Sequence, residues 1–429
     1  FLLSLAAGFL RVALAAPSYV PTGTGTLQGR VCETPESRED GSWRVQLDDA
    51  TLSGEPVPGK VKLYARFAEP PAYGQIVSAD ADVLPSEDEF QLYDRYRGVF
   101  AVAFANGEAI VLWQSPPDGY GRLLMLREDI GARIAALFPN APGEAKGMIL
   151  GDKSDIGEET LAAFRNTGVA HLLAVSGLHV SLLAAAFSLL FRRSAWVRFF
   201  AVAAFCALYA AITAFSPPVV RSGIMMTVGL LAFPLRRRLD APSALSAAFV
   251  LILLFNPYAL WSAGFQLSFV AVLSLILLAP LFQKPLARLG STASGLIGAS
   301  LAVVIGTLPT SALFFGQAQL LSIVTNLFVI PLAGVFLVPA FLGVLLSFIW
   351  YPFGSAVCWA GRAALDAILA VARFGGSVTL ILPPPPAVSY LLWLGAMLFA
   401  SRLCLRSAKR RAVYAGALFA ASAALWALL

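Results

Sequence analysis

Long apolar runs, separated by short basic or proline-containing loops, fill the chain from residue 169 to its end. A membrane-spanning helix takes about 20 consecutive apolar residues, and the runs approach or exceed this length. They cover residues 169–191, 196–214, 217–235, 243–256, 259–282, 295–316, 320–350, 387–402 and 411–429. We predict a multi-span α-helical membrane domain over residues 169–429 with about 8–10 spans. The apolar residues 1–16 are expected to be the remnant of a further transmembrane segment.

Residues 20–116 show the short period of β-structure. Runs rich in β-branched and aromatic residues alternate there with turns of Gly, Pro and Asp. About five or six short strands in a segment of this length predict a small β-barrel or sandwich, and an OB-like barrel fits that number. The pair Asn106–Gly107 is expected to form a hairpin turn between the last two strands.

Residues 118–168 are expected to form amphipathic helices that link the β-domain to the membrane. Apolar and charged residues share the first of these helices at helical spacing, as in "GRLLMLREDIGARIAALF". Asp155 and Glu158 have the spacing of a capping box. Gly168 is placed to end the short helix that would follow.

The composition agrees with a membrane protein rather than a soluble one. Hydrophobic residues make up 58% of the chain, charged residues only 13%, and the mean hydropathy is +0.75. The four cysteines contain no CxxC pair, so neither a disulfide framework nor a thiolate metal site is predicted.

Charge divides the chain into two parts of opposite sign. Residues 17–118 have a net charge of −8, whereas the part beyond residue 160 has a net charge of +15. The basic excess lies mostly in the short loops 191–198, 234–240, 283–288 and 402–411, which the positive-inside rule assigns to the cytoplasm. The same threading makes the β-domain extracytoplasmic. We therefore predict a polytopic α-helical membrane protein with an N-terminal extracytoplasmic small β-barrel, in a multi-pass topology.

Three arginines of the predicted membrane domain, residues 169–429, lie outside these loops. Arg362 and Arg373 belong to an amphipathic stretch that also holds Asp366, which is correctly spaced to pair with Arg362 on a helix. Arg221 follows "SPPVV" at the start of a span and has no acid near it in sequence. Because charges inside a membrane usually face a cavity or a partner, Arg221 is the better candidate to meet an anionic ligand.

The only two histidines, His171 and His179, lie with Ser176 where one apolar run begins. Three interpretations are open: a Ser–His nucleophile pair, the lining or gate of a pathway, and hydrogen bonds that hold a helix end. Ser176 and His179 are three residues apart, and a same-helix pair is not expected to aim the imidazole at the serine. Neither an acid in the span nor a GxSxG elbow supports a hydrolase.

Metal and nucleotide chemistry find no support in the sequence. The histidines are eight residues apart, too far for an HExxH pair, and no third ligand accompanies them. The chain also contains no P-loop. We expect no catalytic residues, no metal and no cofactor.

Four segments resemble the ComEC family, the DNA-internalisation competence proteins of the bacterial inner membrane. They are "GDKSDIGEETLAAFRNTGVAHLLAVSGLHVSLL", "SPPVVRSGIMM", "NPYALWSAGFQLSFVAVLSLI" and "LPTSALFFGQAQLLSIVTNLFVIPLAG". They occur in the family's order over about residues 150–335, and the β-region resembles the family's OB-like domain. The resemblance implies an inner-membrane channel that takes up single-stranded transforming DNA during natural competence.

The chain departs from that family in one respect. Many members carry a C-terminal metallo-β-lactamase-like domain, thought to degrade the strand that stays outside. Its HxHxDH cluster is not in this sequence. Nuclease activity would therefore need another domain or protein. The implied partners are single-stranded DNA, the lipid bilayer, a periplasmic DNA receptor, and a cytoplasmic helicase or strand-capture proteins.

The residues predicted to line or gate the DNA path follow from this resemblance. They are His171, Ser176, His179, Arg221, Gln266, Gln317 and Asn326. In the β-domain, a local patch of Arg44, Lys60, Lys62 and Arg66 is predicted to bind DNA, although the domain is acidic as a whole. Two alternatives stay open: an intramembrane hydrolase that uses Ser176 and His179, and a small-molecule transporter.

Overall fold

The structure is a computed structural model that describes residues 19–38, 40–86, 91–114, 119–237, 240–376, 378–401 and 407–427. The apolar segment 1–16, predicted as a transmembrane remnant, lies outside the described residues. The chain forms two compact units. One takes in residues up to 128 together with 250–262, and the other takes in residues 129–249 and 263–429.

The first unit contains a β-barrel. Its strands are β1 (Gly23–Val31), β2 (Glu36–Ser37), β3 (Trp43–Leu52), β4 (Glu55–Pro56), β5 (Lys60–Arg66), β6 (Gln75–Pro85), β7 (Val99–Glu108) and β8 (Ile110–Gln114). Five strands close the barrel in the order β1-β3-β5-β7-β6, and β6 pairs back onto β1. All of these pairings are antiparallel except β5 with β7. The predicted OB-like barrel is confirmed.

Strand alternation explains the barrel's interior. On β3 and β5 the apolar residues Val45, Leu47, Val61 and Leu63 are fully buried, while the residues between them carry the polar groups. Hydrophobic side chains at every second position therefore fill the barrel from each strand in turn.

The predicted hairpin at Asn106–Gly107 is wrong. Strand β7 runs through both residues to Glu108, whose register partner on β5 is Arg66. Strand β8 then pairs with β6 and not with β7, with Val111 opposite Val77. The ladder with β5 therefore outweighs the local turn preference of Asn-Gly.

The helices carry most of the remaining chain. They are α1 (Gln91–Tyr96), α2 (Gly119–Leu137), α3 (Pro142–Leu150), α4 (Glu158–Asn166), α5 (Gly177–Ser188), α6 (Ala195–Ile212), α7 (Pro217–Leu231), α8 (Ala241–Phe255), α9 (Ala263–Leu277), α10 (Ala279–Gln283), α11 (Ser291–Phe315), α12 (Ser322–Ser347), α13 (Tyr351–Phe374), α14 (Ala387–Ala400) and α15 (Ala408–Ala427). Two short strands, β9 (Gln317–Gln319) and β10 (Thr379–Ile381), pair between helices.

Four of the described helices, α6, α11, α12 and α13, are long and apolar enough to cross a membrane. Five shorter apolar helices accompany them, at 177–191, 217–231, 241–255, 263–277 and 387–400. The polytopic helical class is thus confirmed. The sequence predicts only an amphipathic stretch around Arg362 and Arg373, but helix α13 extends over 24 residues because its apolar face packs against α12. Gly343 and Gly354 allow close approach there, since a Cβ on Gly354 would lie 2.5 Å from the Gly343 carbonyl oxygen.

The start of α4 differs from the prediction, and its end agrees with it. The helix begins after Gly157 without a side-chain cap, and Asp155 instead accepts a 2.6 Å bond from Lys146, so the predicted capping box is wrong. Gly168 has φ +74° and follows the helix in the left-handed conformation. The Val169 amide donates to the Phe164 carbonyl at 3.0 Å, as in a Schellman motif.

Candidate functional site

Ser176 and His179 meet at the start of α5. Ser176 precedes the helix with an extended backbone (φ −110°, ψ 172°), and His179 lies in the first turn. The Ser176 amide donates to His179 Nδ1 at 3.2 Å, and Ser176 Oγ lies 2.7 Å from the same nitrogen. The expectation that helix geometry keeps this pair apart is wrong, because Ser176 is the N-cap and not a helical residue.

These contacts assign the proton of the His179 ring. Since Nδ1 accepts the Ser176 amide hydrogen, the neutral ring carries its own hydrogen on Nε2. His179 is fully buried, and its Nε2 has no hydrogen-bond partner among the described residues. A buried donor without an acceptor costs free energy on the order of 1–3 kcal/mol.

Arg221 lies on α7 with only 6% of its surface exposed. Its Nε donates to Ser268 Oγ on α9 at 2.7 Å, and its Nη2 donates to Ser222 Oγ at 3.0 Å. Nη1 lies 3.3 Å from the Met225 sulfur. All of these partners are neutral, and no carboxylate in the described part of the chain lies within ion-pair distance of this guanidinium.

Gly177 lies between the Ser176–His179 pair and the Arg221 guanidinium. A Cβ at Gly177 would lie 2.5 Å from Arg221 Nη2 and 2.6 Å from Ser222 Oγ, so the guanidinium lies directly against the first residue of α5. We call Ser176, Gly177, His179, Arg221, Ser222 and Ser268 the Arg221 cluster. It combines a buried cation, an unpaired imidazole donor and the positive end of a 12-residue helix. Such a set of donors favours an anion.

Four predicted path residues lie elsewhere. Gln266 is half-buried on α9, two positions before Ser268 and therefore on a different face of that helix. His171 is exposed in a short 3₁₀ turn, Ala170–Leu172. Gln317 lies on β9 opposite Ile381.

Asn326 lies on α12 beside the loop that leads to His171. Its Oδ1 is buried and has no partner among the described residues. The preceding residue, Thr325, donates to the Thr167 carbonyl at 3.0 Å. Gly168 fits against the same helix, since a Cβ there would lie 2.7 Å from Ser322 Cβ. These contacts hold the 167–168 loop on α12.

Most side chains of the basic patch predicted in the barrel form ion pairs with carboxylates. Arg44 pairs with Glu36, Lys60 with Glu33 at 3.1 Å, and Lys62 with Asp94 at 2.6 Å. The Lys62–Asp94 pair is buried, and Ser86 Oγ donates to the second Asp94 oxygen at 2.8 Å. Arg66 is exposed at the end of β5. DNA binding by this patch stays a prediction.

Sequence reasoning missed Ser222 and Ser268, which bond Arg221. Ser268 belongs to "GFQLSF", but nothing in that pattern says which of its polar residues meets Arg221 on another helix. The stacking of Phe104 on Tyr64 was also missed: the two ring centres lie 5.3 Å apart, and the Arg38 guanidinium lies 4.9 Å from the Tyr64 ring centre. The parallel pairing of β5 with β7, which creates it, is not visible in sequence.

Comparison with known proteins places the cluster inside a recognised segment. Residues 148–408 match a family model described as "Competence protein". ComE operon protein 3 of Bacillus subtilis (strain 168) is 34% identical over 246 residues, which is 56% of this chain and 31% of that protein. Competence protein ComA of Neisseria gonorrhoeae is 34% identical over 149 residues, 31% of this chain and 21% of that protein.

A third relative is the uncharacterized protein YcaI of Escherichia coli (strain K12), which is 30% identical over 210 residues, 46% of this chain and 28% of that protein. The chain therefore spans less than a third of the length of each of these three relatives. No solved structure matches it.

Proposed function

Since the chain belongs to the competence-protein family, we propose that it forms the membrane part of an import path for single-stranded DNA in the bacterial inner membrane. The proposal rests on the segment 148–408, which matches the family and contains every residue of the Arg221 cluster. The single observation that supports the path most strongly is the buried Arg221 guanidinium without a carboxylate.

The free-energy cost of burying the Arg221 guanidinium favours an anionic substrate. Removing a charge from water costs several kcal/mol, and neutral hydroxyls recover only part of that cost. Of the five guanidinium hydrogens, three have the bonds described above, to Ser268, Ser222 and Met225. A phosphodiester oxygen would accept from the remaining hydrogens as a charge-assisted bond. DNA offers one such oxygen pair per nucleotide, whatever its sequence.

The roles of the cluster residues differ. Arg221 supplies the charge that attracts phosphate, and His179 Nε2 supplies a neutral donor. Ser176 fixes the imidazole through its amide and hydroxyl. Gly177 leaves room for the guanidinium. Gln266, Gln317, Asn326 and His171 line or gate other parts of the path in this proposal.

The barrel would meet DNA on the extracytoplasmic side. The exposed Phe104, stacked on Tyr64, offers a face for a nucleobase, and sequence-independent stacking of this kind is typical of single-strand binding by OB folds. A periplasmic DNA receptor would deliver the substrate. A cytoplasmic helicase or strand-capture protein would drive it inward, and a separate nuclease would act on the other strand.

The test is delivery of labelled DNA to the cytoplasm of cells that carry the variant chain, measured as the fraction protected from external nuclease. We expect Arg221→Gln to lower protected DNA by at least tenfold, because it removes a charge-assisted bond worth about 1.5–3 kcal/mol. Arg221→Lys, which keeps the charge, should retain more import than Arg221→Gln. Equal import by the wild type and Arg221→Gln would refute the role of this charge.

The distance between Ser176 and His179 favours a second candidate function, an intramembrane hydrolase. Ser176 Oγ lies 2.7 Å from His179 Nδ1, as in a nucleophile with its base, beside a cation and a helix N-terminus that would stabilise an oxyanion. A catalytic triad would also need an acid to accept the hydrogen of His179 Nε2, and no described residue does so. Ser176→Ala separates the two functions: the channel predicts import within about threefold of wild type, and a hydrolase predicts complete loss. Labelling of Ser176 by a fluorophosphonate would support the hydrolase.

A further inference from the structure

We propose that the loops before α6 and after α7 form a binding site for the headgroup of an anionic phospholipid. The two helices pack as an antiparallel pair, which returns the end of α7 to the start of α6. The basic loop 191–198 and residues 232–237, which include the described start of the basic loop 234–240, therefore become neighbours. The direct contact between them is the Arg198 guanidinium, 4.6 Å from the centre of the Phe233 ring.

The charge of this site is not neutralised within the described chain. Arg192, Arg193, Arg236 and Arg237 are exposed in these two segments, and no ion pair joins any of them to a described carboxylate. The acid nearest in sequence is Asp240, which accepts a hydrogen bond from the Ser243 amide at 3.1 Å and caps its own helix. The site therefore presents a concentration of positive charge at the protein surface.

Arg198 is the group that makes the site specific. Its Nε is buried and has no hydrogen-bond partner among the described residues. It also lies in the first turn of α6, where the helix end is itself partially positive and disfavours a cation. A phosphate bound beside the guanidinium would offset its charge and that of the helix end. The stacking on Phe233 holds the planar guanidinium in place for that contact.

The surroundings identify a lipid rather than a nucleic acid as the source of the phosphate. Exposed apolar side chains border the arginines, among them Leu190 (73%), Phe200 (62%) and Trp196 (48%). Tryptophan beside basic residues at a helix end is the arrangement of a membrane interface, where the aromatic lies at headgroup depth. Acyl chains cover such a border, and a nucleic acid backbone does not.

The experiment uses the purified full chain in detergent, with bound lipid counted by native mass spectrometry. Phosphatidylglycerol is the anionic probe, and phosphatidylcholine with matching acyl chains is the neutral one. We expect phosphatidylglycerol retention to exceed phosphatidylcholine retention by at least fivefold. Arg198→Gln should lower retention of the anionic lipid about fivefold, the value expected for one arginine at an anionic surface.

Two further variants keep the result interpretable. Arg198→Lys retains the charge without the planar stacking and should lose only about twofold. Arg288→Gln removes an exposed arginine from another basic loop and should leave retention unchanged, while size-exclusion profiles report folding. Equal retention of the two lipids would overturn the proposal, as would an equal loss in Arg288→Gln. Binding of a short single-stranded oligonucleotide that Arg198→Gln abolishes, without preference for phosphatidylglycerol, would assign the site to nucleic acid instead.

Discussion

Replacing Gly177 by alanine adds one methyl group where α5 meets the Arg221 guanidinium. The new Cβ would lie 2.5 Å from Nη2 of Arg221 and 2.6 Å from Ser222 Oγ. Ordinary contacts between such atoms are about 3.5 Å. The guanidinium must therefore move by roughly 1 Å, while the backbone at Gly177 can accept alanine because it is helical.

That displacement weakens the hydrogen bonds that hold the Arg221 guanidinium. The guanidinium is held by bonds of 2.7 Å to Ser268 and 3.0 Å to Ser222, and a shift of roughly 1 Å breaks at least one of them. Each bond to a charged group contributes about 1.5–3 kcal/mol, which corresponds to an about 10- to 100-fold change in an equilibrium. Gly177 is the first residue of α5, where alanine in place of glycine does not weaken the helix, so the chain should stay folded.

The assay compares nuclease-protected DNA and thermal unfolding in Gly177→Ala and in Gly295→Ala. Gly295 lies in α11 with nothing within 4 Å of its Cβ position, which makes it a matched control. We expect Gly177→Ala to lose import at least tenfold with an unfolding midpoint lowered by only a few degrees, and Gly295→Ala to import normally. Full import by Gly177→Ala would refute the claim that the position of the guanidinium matters.

Two other predictions concern the barrel. Lys62→Met leaves Asp94 buried without its cation and should lower the free energy of unfolding by about 3–5 kcal/mol, measured by urea unfolding followed by tryptophan fluorescence. As the control, Lys146→Met breaks the exposed pair with Asp155 and should lower it by only about 0–1 kcal/mol. Equal losses in the two variants would contradict this prediction. Burial raises the pKa of the Cys32 thiol from 9.0 to about 12. Its alkylation at pH 8 should therefore be about 1000-fold slower than that of an exposed thiol, and the rate should rise with pH. Rapid modification of the Cys32 peptide at pH 8 would contradict this prediction.

Periodicity and the length of the apolar runs predicted the classes of structure well. The period-2 pattern located the barrel because its interior is filled by alternating residues such as Leu47 and Leu63. Apolar runs located most helices because a helix that crosses a membrane is apolar on its outer face as well as on its packed face. The Asn-Gly hairpin failed because β7 continues its ladder with β5, a pairing between strands that are distant in sequence. The capping box at Asp155 failed because Lys146 holds that carboxylate instead.

The candidate site was predicted in part. The rarity of histidine and the absence of acids near Arg221 pointed to Ser176, His179 and Arg221 from sequence. The bond from Arg221 to Ser268 could not be predicted, because these residues are 47 positions apart and meet only through the packing of α7 on α9. Likewise, whether the guanidinium would find an acid depends on the tertiary fold and not on neighbours in the chain.

The most direct measurement of the central claim is crosslinking of DNA during import. Met225, whose sulfur lies 3.3 Å from Arg221 Nη1, would be replaced by its diazirine analogue, and Met397, fully buried on α14, would be the control position. Illumination during uptake of a labelled strand should crosslink that strand at position 225 and not at position 397. Normal import with no crosslink at position 225, or with equal crosslinks at both positions, would contradict passage of the strand beside Arg221.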